Sequence, residues 1–415
     1  MKRIAVVWIG LLLGLPFFGL SQAVSPLKTG VWRAVVKNKG GELPFGLEFT
    51  ANPDGKGYTA YALNGAERLR FDAVTLKGDS IRLTIDIFEA EIRAKLTGTT
   101  MQGFWRRRRV AQNYTSLPFE ARHGVQYRFT PKTETPPINV TGKWATTFRS
   151  GSDSAVAVGV FDQKGSKLTG TFLTTTGDYR YLDGNVVGDS LFLSTFDGTH
   201  LYLFKARRKP DNTLEGGFWS GESGYESWTA TFDPTAKLPD ATTLTYLKPG
   251  YKTLEFSFPD VNGKPVSLSD ARFKNKVVVV QILGSWCPNC MDETNFLSPW
   301  YKKNKARGVE IVGLAYEKSA ELAESAPKIQ RLIDRFKIDY PVLLAGTNVK
   351  SEASKTLPML NQVVGFPTTI IIDRKGQVRQ IHTGFSGPGT GKYYDEFVED
   401  FNRLIDKLVS EPGLR

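Results

Sequence analysis

Cysteine and histidine are scarce in this sequence. Its 415 residues include two cysteines, Cys287 and Cys290, and three histidines that all lie far from the pair along the chain. A zinc site needs four ligands and is therefore disfavoured, and a c-type haem would need His where Met291 follows the second cysteine. A structural disulfide is also disfavoured, because closing so short a loop removes little entropy from the unfolded chain. Redox chemistry is the favoured use of the pair.

The apolar run at residues 4–20 is interrupted by Gly14, Pro16 and Gly19, which disfavours a permanent membrane span without excluding it. Two basic residues precede the run and small residues follow it, so we predict a secretory signal peptide over residues 1–23. No cysteine follows the run, which excludes a lipoprotein anchor on a mature N-terminal cysteine. We expect a periplasmic or otherwise extracytoplasmic protein, soluble after cleavage, in a compartment where disulfides persist.

Dense charge of one sign is confined to residues 106–109, which are four consecutive arginines. The formal net charge is +12, from 54 Lys and Arg against 42 Asp and Glu. On a β-strand the four side chains would alternate between two faces, so a solvated strand end is favoured. A patch for an anion or an acidic partner stays open, whereas nucleic acid is not expected as a partner.

A helical period is missing between about residues 27 and 233, where short β-type runs alternate with Gly, Asp and Asn turns. This region also repeats itself, because three short motifs recur at offsets of 112, 110 and 114 residues. They are Thr-Gly-x-Trp, ending at Trp32 and Trp144, then Gly-Asp-Ser, then Gly-Phe-Trp, ending at Trp105 and Trp219. The spacing indicates one duplicated unit with small changes in its loops.

Each copy has room for about eight strands, the number that closes a small barrel or folds as a compact sandwich. We predict an all-β region of two modules, module 1 over residues 27–131 and module 2 over residues 138–233. The Thr-Gly-x-Trp start resembles the first strand of lipocalin-like barrels, whose tryptophan packs across the barrel base. The four tryptophans of the repeated motifs are predicted to be core anchors rather than ligand contacts.

Residues 234–251 contain several prolines and no period, and we predict a linker there. From residue 252 to residue 415 strands alternate with helices. The predicted elements are strands at 277–283, 309–316 and 341–344, helices at 288–307 and 320–336, a hairpin at 368–373 and 378–383, and a closing helix at 393–409. This is the thioredoxin order of elements with an inserted segment, so we predict an α/β thioredoxin-like domain that is separable from the β modules.

The cysteine pair lies where the buried strand 277–283 passes into the first helix. Unpaired backbone N–H groups and the positive end of the helix dipole at such a turn stabilise a thiolate, and Cys287 is placed to use them. Pro288 falls at the first helical position, where a missing N–H costs nothing. Cys290 follows three residues later on the same helical face, within reach of a disulfide.

Four separated motifs carry a resemblance to a known family: Phe-Ser-Phe-Pro-Asp at 256–260, Gly-Lys-Pro-Val-Ser-Leu at 263–268, Trp-Cys-Pro-Asn-Cys at 286–290 and Gly-Phe-Pro-Thr at 365–368. In this order they resemble the extracytoplasmic thiol-disulfide oxidoreductases of the TlpA/ResA family, over about residues 252–410. The resemblance implies no cofactor and no metal.

The resemblance also implies roles for site residues. Cys287 would attack the target disulfide, Cys290 would resolve the mixed disulfide, and Pro367 would be a cis proline facing them. The backbone of Phe366 would then be free to pair with a substrate segment. The neighbouring side chains that would contact substrate are Trp286 and Pro288.

One position departs from cytoplasmic thioredoxins, which carry a buried acid six residues before the first cysteine. Here that residue is Gln281, which cannot shuttle a proton. Glu293 lies three residues after Cys290 on the same helical face, and in the TlpA/ResA group a Glu at this place serves the proton transfer. A solvated surface charge stays open for Glu293, and Asp292, rotated off that face, is the weaker candidate.

The favoured function is a secreted dithiol-disulfide oxidoreductase that acts on protein disulfides, with reduction favoured by family analogy. Its partners would be protein thiols or disulfides and an upstream redox partner, which could be a membrane-bound electron donor. The alternative is an envelope protein whose β modules bind a ligand or partner while the thiol domain senses redox state. A peroxide-reducing enzyme is disfavoured, because the peroxidatic Thr and Cys spacing is missing before Cys287.

Overall fold

The structure is a computed structural model that describes residues 27–108, 113–132 and 134–413. The predicted signal peptide at 1–23 lies outside the described residues. Within them, the all-β region precedes an α/β domain, which confirms the predicted fold class. The module boundaries drawn from the sequence stay predictions.

Module 1 is one antiparallel sheet that curls without closing. Its strands pair in the order β4-β3-β2-β1-β9-β8-β7-β6-β5, so the two ends of the sheet are β4 and β5. A short 3₁₀ turn at Asp86–Phe88 separates β6 from β7. The strands are β1 (Gly30–Asn38), β2 (Gly41–Ala51), β3 (Tyr58–Asn64), β4 (Glu67–Arg70), β5 (Ala73–Lys77), β6 (Ser80–Ile85), β7 (Ala90–Thr97), β8 (Thr100–Arg108) and β9 (Tyr114–His123).

Module 2 repeats this strand order and closes into a barrel. Strand β12 pairs with β11 on one side and with β14 on the other, which completes a ring of eight strands to which the two-residue strand β13 is added. The strands are β10 (Gly142–Ser150), β11 (Asp153–Lys164), β12 (Lys167–Thr174), β13 (Gly177–Asp178), β14 (Leu182–Val187), β15 (Ser190–Phe196), β16 (Leu201–Arg208), β17 (Leu214–Ser220) and β18 (Gly224–Phe232).

Alternation of apolar and polar residues fills the barrel. In β10 the side chains of Trp144, Thr146 and Phe148 are buried while their neighbours are more exposed, the two-residue period of a half-buried strand. Phe148 and Phe172 meet edge to face at 5.2 Å between ring centroids, and further aromatic rings surround them. Eight strands leave an interior that side chains can fill, and here aromatic side chains fill it.

The α/β domain has a five-stranded sheet in the order β23-β22-β21-β24-β25, in which β21 to β23 are parallel and β24 and β25 antiparallel. A two-stranded sheet of β19 and β20 precedes it. The elements are β19 (Ser257–Pro259), β20 (Pro265–Ser267), β21 (Val277–Leu283), α1 (Pro288–Asn304), β22 (Val309–Glu317), α2 (Leu322–Phe336), β23 (Val342–Thr347), α3 (Lys350–Thr356), β24 (Thr368–Ile372), β25 (Val378–Thr383) and α4 (Lys392–Ser410).

The segment predicted as a linker packs on this α/β domain and forms hydrogen bonds with it. The N–H of Lys248 donates to the carbonyl of Met359 at 2.8 Å, and the N–H of Thr383 donates to the carbonyl of Ala241 at 3.0 Å. Thr245 is fully buried and accepts a hydrogen bond from the hydroxyl of Thr383. Its prolines break secondary structure, as expected, but do not keep the segment off the neighbouring surface.

The expectation of two separable parts is also weakened by the packing. The apolar core of module 1 is continuous with the core of the α/β domain, and Phe196, Leu201 and Leu203 of the barrel join it. Most of the barrel interior forms a second cluster of its own. Both β modules therefore contribute side chains to a core shared with the redox half of the chain.

Candidate active site

The cysteine pair stands at the start of α1, immediately beyond the fully buried strand β21. Cys287 is the N-cap of the helix, and its Sγ accepts a hydrogen bond from the N–H of Cys290 at 3.3 Å. Pro288 occupies the first helical position, where no N–H is needed. Both thiols are free, and both cysteines are buried, Cys287 at 6% exposure and Cys290 at 0%. An attacking sulfur is expected to be exposed, whereas Cys287 is buried.

A loop at residues 365–367 faces the pair from the other side. The Phe366–Pro367 peptide bond is cis, and the Cys287 thiol donates to the carbonyl of Phe366 at 3.6 Å. The indole of Trp286 meets the ring of Phe366 edge to face at 5.5 Å and donates through Nε1 to the carbonyl of Tyr316. Trp286, Pro288 and Phe366 thus gather with Cys287 around one cleft, and Pro367 is buried beside them.

Glu293 is buried one helical turn beyond Cys290, which rules out the surface-charge alternative. Its carboxylate accepts hydrogen bonds from Gln281 Nε2 at 2.8 Å and from the hydroxyl of Thr369. Burial raises the pKa of Glu293 to about 7, and the two hydrogen bonds only partly oppose this. A carboxyl that titrates near neutral pH can both accept and return a proton.

The resolving position carries the more protected thiol. Burial raises the pKa of Cys290 well above its ordinary value, and the Cys287 side chain and the charge of Glu293 raise it further. Cys290 can therefore act as a nucleophile only when a neighbouring group takes its proton. Among the described residues, Glu293 is the carboxyl whose charge contributes to this shift.

Module 2 lies directly over the thiol pair, which the sequence did not indicate. A cleft of about 260 Å³ opens above Cys287, and the barrel supplies much of its lining. The barrel residues that line it include Thr176, Gly177, Asp178, Tyr179, His200 and Tyr202. The redox centre is thus a joint site of the α/β domain and the barrel.

One arginine joins all three parts of the chain beside this cleft. Arg180 of the barrel pairs with Asp292 of α1, with Glu67 of module 1 at 2.6 Å and with Asp197 of the barrel at 3.3 Å. The guanidinium is buried, with 6% of its side chain exposed. Burial opposes its charge, but the three carboxylates outweigh burial and keep Arg180 ionised.

The Asp292 side chain faces the barrel, where it pairs with Arg180. Burial raises the pKa of Asp292 to about 7, and neighbouring carboxyls add to the shift although Arg180 opposes it. Asp197 behaves differently: burial favours its neutral form, yet His200 and Arg180 together lower its pKa. The junction is therefore rich in buried carboxyls held around a single guanidinium.

The arginine run is divided between ion pairs and the cleft. Arg106 lies 3.8 Å from Glu91, and Arg108 lies 4.0 Å from Glu89. Arg107 lines the cleft above Cys287 together with Trp286. Arg109 lies outside the described residues. Two arginines of the run therefore pair with carboxylates of module 1, whereas the sequence favoured a solvated strand end.

Sequence reasoning missed the residues that bring the barrel onto the site. The loop after β25 has glycines at 384, 387 and 389, and the first and last of these approach the barrel backbone too closely for a side chain. A Cβ at Gly389 would come within 2.9 Å of the carbonyl carbon of Arg180. The density of glycine in this loop was the available signal, because glycine permits close approach of two backbones.

Comparison with known proteins finds relatives of the α/β part of the chain. The family model described as Redoxin matches residues 236–396. The thiol-disulfide oxidoreductase ResA of Bacillus subtilis is 29% identical over 150 residues, which cover 36% of this chain and 72% of that protein. ResA of Halalkalibacterium halodurans is 27% identical over 157 residues, covering 38% and 76%. A thiol:disulfide interchange protein from Chlorobium tepidum, solved as a crystal structure, is 25% identical, covers 38% of this chain and 96% of that one, and has a TM-score of 0.30.

The α/β part of the chain is thus similar to ResA and carries a Redoxin match over a thioredoxin-like fold. Its enzyme class is that of a thiol-disulfide oxidoreductase. The Redoxin match begins at residue 236, inside the segment predicted as a linker, and leaves both β modules uncovered. In the part of the chain that the structure describes, no helix is long and apolar enough to cross a membrane.

Proposed function

We propose that this ResA/TlpA-like protein reduces disulfide bonds outside the cytoplasm, with Cys287 as the attacking thiol and Cys290 as the resolving thiol. One observation carries the proposal: Cys287 caps α1 opposite the Phe366 carbonyl while Cys290 lies fully buried behind it. Only the first sulfur borders the cleft through which a substrate can arrive.

The reaction has two exchange steps. The Cys287 thiolate attacks one sulfur of the target disulfide, a mixed disulfide forms, and the other sulfur leaves as a thiolate that takes up a proton. The Cys290 thiolate then attacks the Cys287 sulfur, which forms the Cys287–Cys290 disulfide and releases the second thiol. The substrate gains two electrons and the dithiol loses two, so a thiol donor must reduce the protein before the next cycle.

The direction of electron flow is proposed by family analogy, which favours reduction. A dithiol is a strong oxidant when its reduced form is stabilised, as in DsbA. Here Pro288 and Asn289, the two residues between the cysteines, carry no positive charge that would stabilise a thiolate at Cys287.

Glu293 is proposed as the base for the second step. Its carboxyl sits one helical turn from Cys290 with a pKa of about 7, so near neutral pH a large fraction is ionised and ready to take the Cys290 proton. Gln281 and Thr369 fix the carboxylate by donating to its two oxygens. These two groups position the base and do not themselves exchange protons with the thiol.

The place of action and the partners are proposed on sequence grounds. The N-terminal apolar segment supports export, and the family resemblance is to extracytoplasmic enzymes that act on protein thiols and disulfides. Export places the dithiol where disulfides persist. The donor that returns electrons is proposed to be a dithiol, which could be carried by a membrane protein.

The alternative of a binding protein loses support from the barrel interior. An open pocket lined by aromatic residues would have favoured it, but the rings of Phe148, Phe172, Phe204 and Trp228 pack against one another inside module 2. The space that borders the thiols lies outside this core, at the surface facing Cys287.

Two serine variants test the assignment. With the reduced protein and a small disulfide, Cys290→Ser should stop at a mixed disulfide on Cys287, detected as a mass increase that dithiothreitol removes. Cys287→Ser should give no adduct and no substrate thiol. The wild-type protein should release two substrate thiols and end as an internal disulfide. An adduct found on Cys290 in the Cys287→Ser variant, formed at the wild-type rate, would contradict the order of attack.

A further inference from the structure

The loop that joins β12 to β14 covers the thiol site from the barrel side. This cap segment, residues 175–181, contacts two loops of the α/β domain and the first turn of α1. Thr176 packs so closely on Gly365 that a Cβ there would lie 2.6 Å from its methyl carbon. A Cβ at Gly384 would lie 2.9 Å from the backbone of Thr176, and one at Gly177 would overlap the amide of Asn289.

These contacts cover the surface that an incoming polypeptide would have to bind. A substrate segment that pairs with the backbone of Phe366 must run along residues 365–367, and Thr176 already lies against Gly365. The cleft that remains above Cys287 is about 260 Å³. Binding pockets for drug-sized molecules start at about 300 Å³, so the remaining space suits a small disulfide and not a folded chain.

Polar contacts hold the cap segment in place at both of its edges. The side-chain amide of Asn289 donates to the carbonyl of Asp178 at 3.1 Å, and the N–H of Gly387 donates to the Asp178 carboxylate at 2.7 Å. The guanidinium of Arg180 adds its ion pairs to Asp292 and Glu67. Removing this one cation would leave buried carboxylates facing each other, which is costly in a site of low dielectric.

We propose that the cap segment selects the substrate of the dithiol: it admits small disulfides to Cys287 and excludes polypeptide disulfides until it moves away. The proposal rests on the proposed function, because it assigns which disulfides that chemistry reaches. Arg180 and the glycines of the 384–389 loop are specificity-determining in this arrangement, since they set how firmly the segment is held.

The test compares two substrates in single turnovers of the reduced full-length protein. Hydroxyethyl disulfide is the small probe and insulin is the polypeptide probe. Arg180→Met removes the cation, and Gly389→Ala pushes a methyl group against the Arg180 backbone without changing charge. Arg207→Met is the matched control, because Arg207 pairs with Asp189 on the exposed barrel surface.

Each cap variant should raise the insulin rate relative to the small-disulfide rate by about tenfold, as expected when a minor open state becomes more populated. Arg207→Met should leave this ratio unchanged. If both cap variants reduce the small disulfide normally and keep the wild-type ratio, the cap proposal is wrong. If the wild-type protein reduces neither probe, the proposed function fails instead.

A labelling experiment on the Cys290→Ser protein gives a result even if the cap variants do not fold. Cys287 is then the one remaining thiol, and iodoacetamide is compared with a maleimide carrying a 5-kDa polyethylene glycol, each normalised to its rate with a free cysteine peptide. The cap predicts that the bulky reagent is slowed at least about tenfold more than the small one. Equal slowing of both reagents would overturn the proposal without touching the redox chemistry.

Discussion

The two β modules have the same strand order but differ in closure, and the difference decides which of them meets the thiols. In module 2, β12 pairs with β14 and completes the barrel. In module 1 the corresponding strands β3 and β5 form no ladder. A single backbone hydrogen bond, from the N–H of Phe71 to the carbonyl of Ala60, links β3 to the residues just before β5. The segment between β3 and β5 adds strand β4 to the sheet of module 1, whereas the corresponding segment of module 2, between β12 and β14, is the cap segment.

The corresponding connections of the two modules also meet each other. Strand β4 of module 1 begins at Glu67, whose carboxylate binds Arg180 of the cap segment at 2.6 Å. The first strands are conserved in their details, because Trp32 and Trp144 each donate through Nε1 to the carbonyl four residues earlier. A duplication can thus keep its anchor while one loop takes up a new position.

A shift of one residue separates the repeated Gly-Phe-Trp motifs. In module 1 Trp105 is buried and Phe104 is 52% exposed, whereas in module 2 Phe218 is buried and Trp219 is half-buried. Trp219 is therefore not the core anchor that the motif predicted, and its ring lies against Gly40 of module 1. Because side chains alternate along a strand, a one-residue offset exchanges the inward and outward faces.

The largest expected effect tests this exchange of faces. Phe218→Ala should lower the free energy of unfolding by about 3–5 kcal/mol, because the ring stacks on Phe204 at 4.3 Å inside the barrel. Phe104→Ala, at the same motif position of module 1, should change it by no more than about 0.5 kcal/mol. Denaturant unfolding measures both. Equal losses in the two variants would mean that the motifs occupy equivalent faces after all.

A smaller effect separates the two adjacent carboxyls of α1, of which Asp292 faces the barrel and Glu293 faces the redox sheet. The pKa of Glu293 is raised in the folded protein to about 7, so folding binds a proton between about pH 4.5 and 7 and wild-type stability falls as the pH rises through that range. Glu293→Gln lacks this titration and should gain up to about 3 kcal/mol relative to wild type between pH 5 and pH 8.

The Glu293→Gln variant should also resolve the mixed disulfide about a hundredfold more slowly at pH 7, since the Cys290 proton has lost its acceptor. Unfolding curves at the two pH values and the rate of release of the second thiol measure these two effects. Asp292→Asn is the matched control, and it should resolve at the wild-type rate. A stability difference that stays constant with pH would return Glu293 to a purely structural role.

Sequence patterns were sufficient wherever the signal is local. The buried strand, the N-terminal proline of the helix and the cysteine spacing predicted β21 and α1, and α1 ends at Asn304 because the chain tightens into a 3₁₀ turn at Lys305–Arg307. The hairpin strand β25 was predicted to the residue. The family motifs predicted the position of the cis peptide bond before Pro367.

The joint between the modules could not be predicted, because it depends on contacts between residues more than a hundred positions apart. Arg180 reads as an ordinary turn residue in the sequence, yet it adopts a positive φ of 57° and binds groups from three parts of the chain. The burial of Cys287 follows from the same contacts. No periodicity or motif in the sequence indicates against which surface of the α/β domain the closed barrel packs.

A redox titration of Cys287 and Cys290 in the full-length protein tests the central claim, that this buried dithiol is a reductant, most directly. The protein is equilibrated in dithiothreitol buffers of graded ratio, and the fraction of disulfide is read by alkylation and mass. Family analogy and the lack of a positive charge on the two residues between the cysteines predict a potential near that of thioredoxin, about −270 mV. A potential near about −120 mV, the value for DsbA, would contradict the account and make the protein an oxidant.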